Sequence, residues 1–223
     1  LRTDGSVGAY AQGSGGVNVG GGLTIEAADQ VDLRHDTRAG AVNPSLLAGG
    51  DMSISAGTSI TGAPGTLLSA GGTLALNTTA ATGSIAVDRL AGNDIIVTTA
   101  GQASVEHADA VNDFIATVGS FRTGLNSIIT GGDIMINAVD LGNSTAGGLV
   151  SVNGQSIAFN SIDAGSFVSL FAQGTGATDG IFGTDISAGN SVSLYGGRIA
   201  VGGTVQAGGG FYATAIAGDA AIG

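Results

Sequence analysis

Cysteine, tryptophan and lysine are all missing from this chain of 223 residues, and proline occurs twice. Without cysteine there is no disulfide and no thiolate metal site, a composition compatible with export through a bacterial envelope. Charged residues make up 10% of the chain, well under the usual ~25%. Disorder requires the opposite balance, many charges and few apolar groups, whereas 43% of these residues are hydrophobic. The chain is therefore expected to fold. No apolar run approaches eighteen residues, so no helical span of a bilayer is predicted. Leu1–Gly5 has neither the basic start nor the apolar stretch of a signal peptide. Seventeen acidic residues against six arginines give a net charge of −11. Such a surface repels phosphate backbones and anionic headgroups, which argues against nucleic-acid binding and membrane insertion.

What the chain has in excess is glycine, 42 of 223 residues, where ~7% is usual. The glycines recur in a phrase. It reads Ala48-Gly49-Gly50-Asp51-Met52-Ser53-Ile54, then Ala70-Gly71-Gly72-Thr73-Leu74-Ala75-Leu76, Ala91-Gly92-Asn93-Asp94-Ile95-Ile96-Val97 and Thr130-Gly131-Gly132-Asp133-Ile134-Met135-Ile136. Looser copies begin at Ala110, Ala146, Ala164, Ala188 and Ala207. With the second residue of each phrase as origin (49, 71, 92, 111, 131, 147, 165, 189, 208), the intervals are 22, 21, 19, 20, 16, 18, 24 and 19. Three positions after the origin every copy is apolar, and five positions after it is Ile, Val, Leu or Ala. A spacing of two puts both side chains on one face of a strand. A second apolar row (Leu46, Leu68, Ile128, Ile162, Ile186, Val205) precedes the origin by three, and looser pairs such as Ile85/Val87, Ile157/Phe159 and Ile199/Val201 drift in offset.

A unit of about twenty residues cannot bury its apolar face alone, but stacked copies pair every strand with the turn above and below. The predicted fold is all-β: a parallel β-helix (β-solenoid) of about 20 residues per coil and roughly 10–11 coils. Winding is expected to be right-handed, from the general crossover preference. Residues 1–47 read as irregular first coils with a charged loop at 29–44, and residues 48–223 as regular coils of one continuous solenoid, an excerpt of a longer protein. Corner glycines are expected either to reach positive φ or to bend without a Cβ clash.

Chemistry has few places to sit. The loop at 29–44 holds Arg34, His35, Asp36 and Arg38, a candidate interaction loop on an otherwise smooth rod. His35 with Asp32 and Asp36, and His107 with Glu106 and Asp109, can be drawn as acid/base or metal clusters, though neither spacing demands a metal. Asp94, Asp113 and Asp133, with Asp51 earlier, share one offset in the repeat. They read as exposed turn residues; a calcium ladder is the alternative. No catalytic residue and no cofactor is expected. Six of the seven phenylalanines fall between Phe114 and Phe182; stacking inside the bore is the ordinary expectation, and an exposed ligand platform the minor one.

The phrase A-G-G-[DNT]-h-x-h, at residues 48–54, 70–76, 91–97 and 130–136, resembles the repeats of filamentous haemagglutinin-like exoproteins. That resemblance implies a bacterial protein exported by two-partner secretion, with an outer-membrane transporter as partner. It implies a rod at the cell surface or secreted, acting as adhesin, biofilm factor or aggregation factor rather than as an enzyme. Partners would be a host-cell or neighbouring-cell receptor or glycan, or further copies associating end to end or side by side. Two other readings remain: a polysaccharide-degrading β-helix enzyme or tailspike-like protein, and the passenger stalk of an autotransporter.

Overall fold

The computed structural model describes residues 2–3, 5, 7–8, 17–33, 45–123, 128–130, 132, 134–176 and 179–223. Alternation with period two dominates these residues, and the chain turns it into strands that pair in parallel with the strand about 21 residues further on. The result is a β-solenoid of about eight turns. Counting every strand on one wall, partial turns included, gives a column of eleven, against the ten to eleven coils expected.

Three walls enclose a narrow bore. The first wall carries the glycine phrase: Leu23–Ala27, Met52–Ala56 and Thr73–Thr78 begin it, and Val168–Ala172, Val192–Gly196 and Phe211–Ala215 continue it. Its register does not slip along the phrase, from Leu23↔Met52 through Leu74↔Ile95 and Ile95↔Phe114 to Val192↔Phe211. The second wall includes Ser59–Gly62, Gly180–Gly183 and Arg198–Val201, and the third includes Ser45–Ala48, Ser161–Ala164 and Asp185–Ala188. Asp94–Ala110 is one continuous strand that contributes to all three walls in a single turn.

The bore is filled by columns of side chains from each wall. Met52, Leu74, Ile95, Phe114, Ile134, Val150 and Val192 are fully buried on the first wall, as are Ile60, Ala103, Phe121, Ile157, Ile181 and Ile199 on the second. The third is built from Leu46, Leu68, Ile128, Ile162 and Ile186, with Leu90, Ala108 and Ser144 supplying the turns where the sequence row had gaps. Large and small residues compensate for each other. Phe114 and Phe121 meet edge to face inside the bore, centroids 5.6 Å apart at 63°, where neighbouring inward positions are Ala103, Ala108 and Ala116. Close packing of this kind leaves no room for a methylene more or less.

The corner glycines follow the second of the two expected reasons. Positive φ occurs among the described residues at Gly65, Gly142 and Gly180, none of them in the repeated phrase. A Cβ on Gly71 would instead fall on the carbonyl oxygen of Gly49, one on Gly165 on that of Gly147, and one on Gly189 on that of Gly165. At these turns the chain touches backbone to backbone and only glycine permits it, whereas Val111 holds the same place in one turn with its side chain exposed.

Among the described residues buried hydroxyls are few and each has a partner. Thr78 donates to Thr99 Oγ1 at 2.6 Å, and Thr99 Oγ1 donates to the carbonyl of Gly83 at 2.8 Å. Their burial is therefore compensated by a short chain of hydrogen bonds across the corner between the first and second walls.

Candidate functional site

The second wall is where polar chemistry gathers. Ile85 and Val87 face the bore and pair with Ala103 and Val105 one turn on. Alternation then turns Ala86 and Ser104 outward, and Asp88 and Glu106 follow at the same place in consecutive turns. Beside them the chain departs from the rod in the turn Ala63-Pro64-Gly65-Thr66. Proline presets the first central φ, Gly65 takes φ 82°, and the Thr66 N–H donates to Ala63 O at 3.0 Å, the arrangement of a type II turn. The Gly65 N–H donates to the Asp88 carboxylate. Turn and wall together form an open groove of about 430 Å³ lined by Gly62, Ala63, Pro64, Ala86, Asp88 and Glu106.

Around the next corner Arg89 and His107 are paired in register, and His107 Nε2 lies 2.9 Å from Asp109 Oδ2. The imidazole is 22% exposed and the carboxylate 49%, so the contact is a surface one of small energetic value. Of the cluster drawn around His107 from the sequence, the structure thus joins His107 to Asp109 and turns Glu106 to the groove. It adds Asp88 and Arg89, which the sequence pattern alone did not single out. A signal for them existed: Val87-Asp88-Arg89 and Val105-Glu106-His107 are the same acid-then-base phrase eighteen residues apart.

Chemically the arrangement offers two acidic residues on strands one rung, about 4.8 Å, apart along the rod, with an imidazole and a guanidinium across the corner. A groove of this sort can bind a hydroxyl-rich chain, and its carboxylates could serve acid/base chemistry. Asp88, however, is held by the Gly65 turn, and the groove is open to water.

The other sequence candidates fare differently. Asp94 and Asp113 do occupy one corner in consecutive turns, immediately before the paired Ile95 and Phe114. Thr73 separates Asp51 from Asp94, and Asp133 lies outside the described residues, as do Arg34, His35, Asp36 and Arg38. Asp51 ties two turns together, since its Oδ1 accepts the Thr73 N–H of the next turn at 2.9 Å, and a Cβ on Gly72 would fall on that oxygen. Asp185 does the same for Thr204 at 2.8 Å, with Gly203 leaving the space. Both carboxylates thus act as acceptors between turns, an elaboration of the turn role expected. Among the described residues no group of three or more Asp, Glu or His is placed to hold a metal ion.

The phenylalanines divide. Phe114, Phe121 and Phe159 are in the bore, whereas Phe167 and Phe171 are 48% and 42% exposed. Phe171 points outward from the first wall and stacks on Tyr195 of the next turn, centroids 4.8 Å apart and planes 6° from parallel. Stacking in the bore therefore holds for one part of the set, and an external aromatic pair accounts for another. No protein-family model, curated protein or solved structure matches this chain.

Proposed function

We propose that this chain is a rod segment of a bacterial filamentous haemagglutinin-like adhesin, secreted or held at the cell surface, which acts in adhesion, biofilm formation or aggregation. The observation that carries this reading is the unbroken parallel register of the first wall, from Leu23↔Met52 to Val192↔Phe211, on a repeated glycine phrase. Each turn contacts only its neighbours, so the architecture adds length without needing new kinds of contact. A scaffold of that design suits a spacer that holds recognition elements away from a surface. Two-partner secretion, with an outer-membrane transporter, and a receptor or glycan on another cell as target belong to the same reading. The test is deletion of the coding sequence in the source bacterium, followed by adherence and biofilm assays. Adherence should fall at least about tenfold and return on complementation; unchanged adherence and biofilm mass would remove the reading.

A second reading has one observation in its favour. The Asp88/Glu106 groove, with His107 and Arg89 around the next corner, is the kind of carboxylate pairing on neighbouring turns that a polysaccharide-cleaving β-helix enzyme needs. Reducing-sugar release from neutral and acidic polysaccharides, abolished in Glu106→Gln, would establish it. Release at the no-enzyme rate would end it.

A further inference from the structure

The charges of this rod are not spread evenly around it. On the first wall the outward strand positions form two columns, one running from Ser53 through Ile96, Ile115 and Ser169 to Tyr212, the other from Ser55 through Phe171 and Tyr195 to Thr214. None of these positions, over nine turns, carries a charged residue. Among the described residues of these nine turns the acidic and basic side chains lie at the corners and on the other two walls, as with Asp88, Glu106, Asp109, Asp163 and Arg198; the turn before them carries Glu26 on the first wall, in register with Ser55. A chain with net charge −11 thus has one face that is neutral from Ser53 to Thr214. That face also carries apolar surface: Phe171, Tyr195 and Met135 are 36–42% exposed, and Ile96 and Ile115 are half-buried beside rows of serine, threonine and asparagine.

We infer that the outer face of the first wall is a self-association surface on which a second copy of this chain lies side by side. Two equally acidic rods repel each other through the charged walls. Along the neutral face they approach without opposing carboxylates, and the exposed aromatic and aliphatic side chains leave water on contact. Area sets the strength. Nine rungs at about 4.8 Å, over a strip about 12 Å wide, bury on the order of 900 Å² in total. That is below the ~1,200 Å² at which stable specific interfaces begin. This segment should associate weakly and reversibly, with a dissociation constant on the order of 100 μM. Each further turn of the same wall adds area, so avidity rises with rod length. The inference rests on the rod reading above, but adherence assays decide that reading and solution association decides this one.

Sedimentation velocity of this chain from about 10 μM to about 1 mM is the test. The unmodified chain should show a concentration-dependent shift from monomer to dimer that persists at high salt. Ser169→Asp, at an exposed outward position of the first wall, should raise the dissociation constant at least about tenfold. Ile115→Thr, which removes apolar surface without adding charge, should raise it severalfold. Thr145→Asp, outward on the third wall, should leave it unchanged, and matching melting temperatures establish that all four proteins are folded. A chain that stays monomeric throughout overturns the inference, as does equal loss in Ser169→Asp and Thr145→Asp. A monomeric chain retarded by a neutral polysaccharide in affinity electrophoresis would assign the face to a glycan and also overturn it.

Discussion

The first wall and the second are made of the same strands, stacked at the same spacing, yet they behave as different materials. The first wall keeps one register from turn to turn and, from Met52 onward, shows solvent a flat, uncharged surface. The second absorbs the variation in turn length: its register shifts between Thr99 and Gln102 and again between Asn137 and Val139, and a proline turn and a groove interrupt its exterior. Inside, the difference disappears, since Leu74 on one wall and Ile181 on the other are equally buried at 0%. Regularity is thus imposed by backbone contact at one corner, while burial is required everywhere. Features that carry ligand chemistry collect on the wall that is free to vary.

The comparison predicts a ranked set of effects. Leu74→Ala and Ile181→Ala should each cost about 2–5 kcal/mol in urea unfolding, because both leave a cavity in a filled bore. A loss below about 1 kcal/mol at Ile181 alone would show that the irregular wall is loose inside as well as outside. Gly165→Ala, at the corner between the third and first walls, must push apart two turns that touch through backbone, at a cost of about 1–3 kcal/mol. Gly202→Ala is the matched control between the second and third walls. There a Cβ meets only Gly183 O at 4.0 Å, so the unfolding free energy should change by less than about 0.5 kcal/mol. Equal effects at the two glycines would break the distinction between the corners. Thr99→Val removes a buried hydroxyl that both receives and donates. About 1–2 kcal/mol should be lost there, readable as a lower melting temperature. Smallest of all is Ser151→Ala on the outer face of the first wall, expected within about 0.5 kcal/mol of the parent.

Much of this architecture was legible in the sequence because one wall repeats with so little deviation. Met52, Leu74, Ile95 and Phe114 sit at one offset from the glycine phrase, and that offset is a column of the bore. The third-wall row was read from six copies, and the structure fills its gaps with Leu90, Ala108 and Ser144, which are too varied in size and polarity to be recognised by type. The groove was illegible for a physical reason. Asp88 and Glu106 become neighbours only when the lengths of the intervening corners are known, and those lengths vary between turns. Period-two alternation also cannot say which side of a strand faces the bore unless the apolar set is one-sided. Phe171 follows the buried Leu170 and precedes the buried Ala172, so in a wall with apolar residues on both faces its outward direction was hidden. The role of Asp51 was half visible: its offset marked a corner, but its acceptor bond reaches the following turn rather than closing its own.

The backbone contact at the glycine corner has a consequence for assembly. It leaves the pitch to the backbone. The step from one turn to the next is the spacing of the hydrogen-bonded ladder, about 4.8 Å, and where Gly71 meets Gly49 and Gly189 meets Gly165 no side chain interferes with it. Two rods built on such corners have the same pitch even when their surfaces differ in composition. Laid alongside each other they stay commensurate, rung against rung, over any number of turns, and mismatch does not accumulate with length.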